Sequence, residues 1–222
     1  RILSFLRPAW PPDFDPDKEH HFRTATEDVT KAYAYKTALA LNADYSMVSV
    51  SGYGIISGFT NDGNKIPQQT IPQYYDKLGF SYNKFADSIT VSETEWDFER
   101  YKPDIIVINL GTNDMSYATT DERKAEFEDG YLNFLKKVRS LNSDSYIFQT
   151  YGVMGTSLEE NIENVRRKYM SETGDERITF IPLTMQDEDA DGIVADWHPS
   201  PKTHSLVSQK VTAAIKETLG YK

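Results

Sequence analysis

Ester hydrolysis needs a nucleophile, a base that takes its proton, and donors aimed at the oxyanion that forms on the carbonyl oxygen. Residue types suited to each role occur in this sequence. His198 is the candidate base: one of four histidines, it stands in Asp196-Trp197-His198-Pro199, a polar loop rather than an apolar face. Taken alone, such a residue is more often a surface imidazole without a task. Asn113 offers a side-chain amide, and Gly52 offers a backbone N–H with no Cβ to block an approaching substrate, so the two together could form an oxyanion hole. Each alone reads more readily as a turn residue than as a catalytic one. Ser4 is a candidate nucleophile by position, being the only serine before Ser46.

For these residues to meet, the chain must bring distant segments to one edge. Four runs rich in Val, Ile, Phe or Tyr read as strands: Tyr45–Val50, Asp104–Leu110, Ser145–Thr150 and Arg177–Leu183, with Arg1–Leu6 a candidate fifth. Helical patterns alternate with them. Val29–Leu41 is the first; the second places Phe127, Tyr131, Phe134, Leu135, Val138 and Leu141 at helical spacing after a capping box at Thr119 and Glu122. A third starts at Ser157 and carries Leu158, Ile162, Val165 and Tyr169. A last one follows Pro201, with Val207, Val211, Ile215 and Leu219 on its apolar face. Strands alternating with helices imply an α/β fold, three layers deep, around a five-stranded parallel sheet. Ligands of such sheets bind outside the carboxyl ends of the strands. Ser51-Gly52-Tyr53-Gly54, Gly111-Thr112-Asn113-Asp114 and the loop carrying His198 all fall at that edge.

Composition narrows the partners. A net charge of −10 opposes adhesion to phosphate backbones or anionic lipid, so no nucleic-acid or membrane partner is expected. No stretch approaches the roughly 20 apolar residues that span a bilayer. With no cysteine, thiolate metal sites and cysteine nucleophiles are excluded. His20 and His21 lie in a charged segment without a third ligand. Asp187, Glu188, Asp189, Asp191 and Gly192 imitate the start of a calcium loop, but its twelfth position is His198 where a bidentate Glu is needed, so the segment reads as a solvated acidic loop. No metal or cofactor is expected.

The run Ile105 to Asp114 resembles the third conserved block of the SGNH hydrolases, in which Gly-x-Asn-Asp ends a parallel strand and the Asn donates to the oxyanion. Ser51-Gly52 resembles the second block, and Asp196 to Pro199 resembles the last, which carries the base. Within that superfamily Phe22 to Asp28, Ser51 to Gly54, Asp196 to Ser200 and Thr203-His204 resemble carbohydrate esterase family 2. The resemblance implies a flavodoxin-like SGNH-hydrolase fold and a secreted or extracytoplasmic serine esterase. Its expected substrate is an acetylated polysaccharide or oligosaccharide: xylan, mannan or glucomannan. It also implies that residues 1–222 form the esterase domain, without the small β-sandwich that normally precedes it. Trp197, Tyr53 and Met154 become candidates for contact with substrate, since aromatic faces pack against pyranose rings and Tyr151-Gly152-Val153-Met154 resembles a loop near the substrate.

Two departures bear on mechanism. SGNH enzymes mostly place an orienting Asp three residues before the His, whereas that position is Ala195 here and Asp196 stands two before His198. Whether this run is pleated or kinked, and with it whether Asp196 completes a triad, is open from the sequence; the family-2 resemblance implies a Ser-His dyad in which a backbone carbonyl orients the imidazole. The first block, Gly-Asp-Ser, is also missing around Ser4. Codons for Arg1-Ile2-Leu3-Ser4, read one base out of phase, can encode Asp-Ser-Leu. If the block is truly lost, the alternative is a carbohydrate-binding module that keeps the cleft without the nucleophile.

Overall fold

The computed structural model describes residues 2–4, 28–80, 84–85 and 88–221. Its centre is a parallel ladder of β5 (Ile105–Asn109), β6 (Tyr146–Tyr151) and β7 (Ile178–Pro182). Short β1 (Ile2–Ser4) lies parallel to β5 on one side and to β2 (Met47–Val48) on the other, in the order β2-β1-β5-β6-β7. The α/β class read from the sequence is therefore the class of the molecule.

Why these strands are apolar throughout follows from what covers them. Successive side chains of a strand point to opposite faces, so Ile106 and Ile108 enter one core and Val107 the other. On the first face α2 (Asp121–Leu141) supplies Phe127, Tyr131, Phe134, Leu135 and Val138, and α3 (Glu159–Thr173) supplies Ile162, Val165 and Tyr169. On the second, α1 (Tyr33–Ala40) contributes Tyr33 and Ala34, and α5 (Pro201–Leu219) contributes Val207, Val211 and Ile215. Helices thus cover both faces.

Several boundaries differ from the sequence reading, each for a local reason. The first helix is broken: Val29–Lys31 is a single 3-10 turn capped by Asp28, and extended Ala32 precedes α1. Thr120, not Thr119, caps α2, its hydroxyl accepting the Arg123 N–H at 3.4 Å. Helix α3 starts after Leu158 without a side-chain cap, so the Ser157 start is corrected. Only Met47 and Val48 of Tyr45–Val50 pair as a strand. The acidic segment is not simply a loop, because Asp187 accepts the Ala190 N–H at 2.8 Å and caps the short α4 (Glu188–Asp191). Asp191 pairs with Lys202 at 2.9 Å. Two small antiparallel pairs complete the topology: β3 (Lys84–Phe85) with β4 (Ile89–Thr90), and β8 (Ile193–Val194) with β9 (His198–Pro199).

Candidate active site

Strand β5 delivers Asn109 and then turns sharply. Gly111 has φ +121°, and an added Cβ there would meet the Tyr151 ring at 3.1 Å, so the turn needs glycine. The turn buries Asn113 and Asp114 together. Asn113 Nδ2 donates to the Tyr53 carbonyl at 2.7 Å, which joins the loop after β2 to the loop after β5. An amide NH2 carries two donors, and one of them is committed to Tyr53. Gly52 has φ +80°, and its carbonyl accepts the Phe59 N–H at 2.9 Å. The nearest neighbour of an added Cβ at Gly52 is 4.0 Å away, so backbone conformation rather than space calls for glycine there.

Asp114 is fully buried, and its Oδ1 accepts N–H bonds from Ile55 at 2.9 Å, Ile56 at 2.8 Å and Ser57 at 3.2 Å. Burial pushes its carboxyl up to about 6 from the usual 3.8, against the pull of those N–H groups. A carboxyl raised in the folded state binds its proton more tightly there than in the unfolded chain. Its contribution to stability is therefore complete below about pH 4 and is lost as pH rises through about 6. Across that window the wild type is expected to lose about 3 kcal/mol relative to Asp114→Asn, as read by urea unfolding at a series of pH values. Parallel stability curves for the two proteins would contradict this.

His198 opens β9, paired across the hairpin with Val194. The run Asp196-Trp197-His198 is kinked rather than pleated: Asp196 (φ 52°) and Trp197 (φ 58°) are both left-handed, and the three residues Ala195–Trp197 form a tight turn. Two consecutive left-handed residues without glycine are a strained arrangement of the kind found where a side chain must be aimed. The turn carries the Ala195 carbonyl to 3.0 Å from His198 Nδ1. A carbonyl only accepts, so Nδ1 carries the proton and Nε2 the lone pair. Trp197 is 66% exposed, and its carbonyl accepts the Gln186 side-chain N–H at 2.9 Å.

Beside His198 a small cavity of about 30 Å³ is walled by Thr112, Val153, Met154 and Val207, with Asn109 and His204 in its lining. Met154 and His198 are thereby brought together, and Thr112 adds the β5 turn to the same site. Val153 has φ +74°, a left-handed backbone at a β-branched residue, next to Gly152, whose added Cβ would strike the Leu183 carbonyl at 2.3 Å. Sequence reading missed Thr112, Val153 and the packing of His204. His204 is buried, stacked on Tyr33 with ring centroids 6.1 Å apart, and its Nδ1 accepts the Tyr33 N–H at 3.3 Å. The nearby Asn109 amide donates to the Tyr33 hydroxyl at 3.1 Å. Tyr53 and Trp197 do not line this cavity; the Tyr53 ring lies 6.0 Å from Tyr74 and 6.3 Å from Phe80.

Ser4 ends β1 with its Cα in register with Asn109. It stands at the carboxyl end of the strand flanked by β2, which leads to Gly52, and by β5, which leads to Asn113. His20, His21 and the stretch from Phe22 to Glu27 lie outside the described residues. Among the described residues, no group of three or more His, Cys, Asp or Glu side chains could hold a metal ion, and no helix is long and apolar enough to cross a membrane.

Residues 22–206 match the model of the GDSL-like lipase/acylhydrolase family. The chain belongs to that family. This GDSL-like chain is 32% identical over 213 residues to the cellulase/esterase CelE of Acetivibrio thermocellus, covering 92% of this chain but 24% of that protein. It is 24% identical over 194 residues to an acetylxylan esterase/glucomannan deacetylase of Cellvibrio japonicus, covering 86% of this chain and 49% of the relative. Among solved structures, a family two carbohydrate esterase from Clostridium thermocellum in complex with cellohexaose superposes with a TM-score of 0.78 at 30% identity, over 100% of this chain and 65% of that one. An acetyl xylan esterase from Butyrivibrio proteoclasticus shares the fold with a TM-score of 0.83 at 24% identity, over 100% and 64%. The chain thus spans less than two thirds of each of these relatives.

Proposed function

We propose that this GDSL-like chain, residues 1–222, is a carboxylic ester hydrolase, the esterase domain of a secreted or extracytoplasmic enzyme. It removes O-acetyl groups from a plant polysaccharide such as xylan, mannan or glucomannan. The reading takes the sheet as the five-stranded, three-layer arrangement of the SGNH hydrolases. The observation that carries it is the His198 Nδ1–Ala195 carbonyl bond, because it fixes the tautomer that puts the basic lone pair on Nε2. In this scheme His198 Nε2 takes the proton of the Ser4 hydroxyl as its oxygen attacks the acetyl carbonyl. The second Asn113 N–H and the Gly52 N–H hold the oxyanion. Collapse breaks the bond to the sugar oxygen, which receives the proton from His198 and leaves, and the acetyl group stays on Ser4. Water, deprotonated by His198, then attacks the acyl-enzyme, and acetate departs with Ser4 restored. Tyr53, Trp197 and Met154 line the approach for the saccharide. No metal or cofactor takes part in these steps.

The imidazole is oriented by a backbone carbonyl, so Asp196 is not needed to hold it. Asp196→Asn is expected to lower kcat for 4-nitrophenyl acetate by less than about tenfold, whereas the same change in a true triad costs about 10⁴. A loss of a thousandfold or more with the circular dichroism unchanged would restore Asp196 as the triad acid.

The missing Gly-Asp-Ser around Ser4 favours one other reading, a carbohydrate-binding module with the same cleft. Incubation with acetylated xylan and acetylated glucomannan separates the two. The esterase releases acetate, and the module binds the oligosaccharide with no acetate released.

A further inference from the structure

We propose that Asp114 is a positioning residue for ester hydrolysis, its buried carboxylate fixing the loop that carries the oxyanion donor Gly52. The inference rests on the esterase reading of the site. Its ground is the way the turn after β5 grips the loop after β2 at three successive points. Asn113 holds the Tyr53 carbonyl, Asp114 holds the N–H groups of Ile55, Ile56 and Ser57, and Ser116 Oγ accepts the Thr60 N–H at 2.9 Å. Ser116 also donates to the Asn113 carbonyl at 2.7 Å, tying the third point to the first. Asp114 is the centre of this grip.

Three amides converging on one carboxylate oxygen make a backbone nest for an anion, and here the anion belongs to the protein. No salt bridge reaches Asp114 among the described residues, so these N–H groups are what hold it. The fit leaves no slack. An added Cβ on Gly54 would lie 2.4 Å from Asp114 Oδ2 and 2.1 Å from the Ser57 carbonyl. From its other side the loop is pinned by Gly54 N–H to the Gln69 carbonyl at 3.1 Å and by the Ile71 N–H to the Gly54 carbonyl at 2.8 Å.

The two oxyanion donors come from different elements, Gly52 from the loop after β2 and Asn113 from the turn after β5. Their separation is therefore a property of the contact between those elements, and displacement by about 1 Å can cost about 10² in rate. Asp114 never touches the substrate. It acts by keeping Gly52 where Asn113 needs it.

Asp114→Ala removes the acceptor, and Asp114→Asn keeps an oxygen at the Oδ1 position for the three N–H bonds, giving up only the second contact of the Ile55 N–H, 2.9 Å to Oδ2. With 4-nitrophenyl acetate, Asp114→Ala is expected to lower kcat by about tenfold to a hundredfold with KM within threefold. Asp114→Asn should recover most of that loss. Combined with Asn113→Ala, the Asp114→Ala effect should shrink to less than threefold, because the pair of donors it aligns is already broken. In amide hydrogen exchange on the whole chain, peptides covering residues 53–60 should lose protection in Asp114→Ala and regain it in Asp114→Asn, with α2 and β6 unchanged. A kcat unchanged within threefold in folded Asp114→Ala would overturn the inference. Equal losses for Ala and Asn would also overturn it, as would full additivity with Asn113→Ala. Should the wild type hydrolyse no ester, the esterase reading fails by itself and the exchange experiment still decides: unchanged protection in residues 53–60 overturns the anchor, and selective loss supports it. If Asp114→Ala does not fold, Asp114→Asn and its exchange at 53–60 are compared with wild type, where a loss larger than threefold in kcat with those amides still protected would contradict anchoring through the oxygen.

Discussion

His198→Ala is expected to lower kcat/KM for 4-nitrophenyl acetate by at least a hundredfold and up to about 10⁴-fold, the range for loss of a positioned general base. The structure makes the expectation specific. His198 is held by a hairpin that turns through two left-handed residues, and its Nδ1 is occupied by the Ala195 carbonyl. In the tautomer this fixes, the basic lone pair is on Nε2. Because His198 is only half-buried and gives up its bond to the Ala195 carbonyl on truncation, folding should change by about 1 kcal/mol. Thermal unfolding alongside the kinetics separates the two effects, and a fully folded variant with activity within threefold of wild type would remove His198 from the reaction.

Asn113→Ala is expected to lower kcat by about 10²–10³, or about 2.7–4 kcal/mol of transition-state stabilisation, while KM moves little. A donor aimed at the oxyanion bonds best once negative charge has formed. The same amide also ties Tyr53, so truncation leaves a carbonyl without that donor and should cost about 1–3 kcal/mol of stability as well. Steady-state kinetics together with urea unfolding measures both losses. A change confined to KM would place Asn113 in ground-state binding alone.

How much of this was legible in the sequence depends on what kind of force fixes each feature. The run Ile105–Asn109 reads as a buried strand because both its faces are covered, and a chain pattern records burial directly. The loops that follow such strands are then placed by topology, which is why Gly52, Asn113 and His198 read as residues of one edge from the sequence alone. Helix starts differ by one or two residues where adjacent residues compete for the cap, as Thr119 and Thr120 do, or where α3 begins after Leu158 with no side-chain cap. The span from Tyr53 to Phe80 was unreadable, since turns, a 3-10 segment and aromatic packing carry no period. Backbone strain was equally hidden. Nothing in the types of Val153, Asp196 or Trp197 announces a left-handed backbone, which the surrounding structure imposes against local preference. Asp114 was visible as part of a motif, but its three amide partners lie 57 to 59 residues earlier in the chain, so its role could be seen only once the loops were together.

The most direct test of the central claim is to label the chain with a fluorophosphonate, locate the adduct by peptide mass, and measure acetate release from acetylated xylan in parallel. A serine esterase of this design should carry one adduct, on Ser4, lost in His198→Ala together with acetate release. Acetate release with the adduct on another residue, or oligosaccharide binding with neither adduct nor acetate, would contradict it.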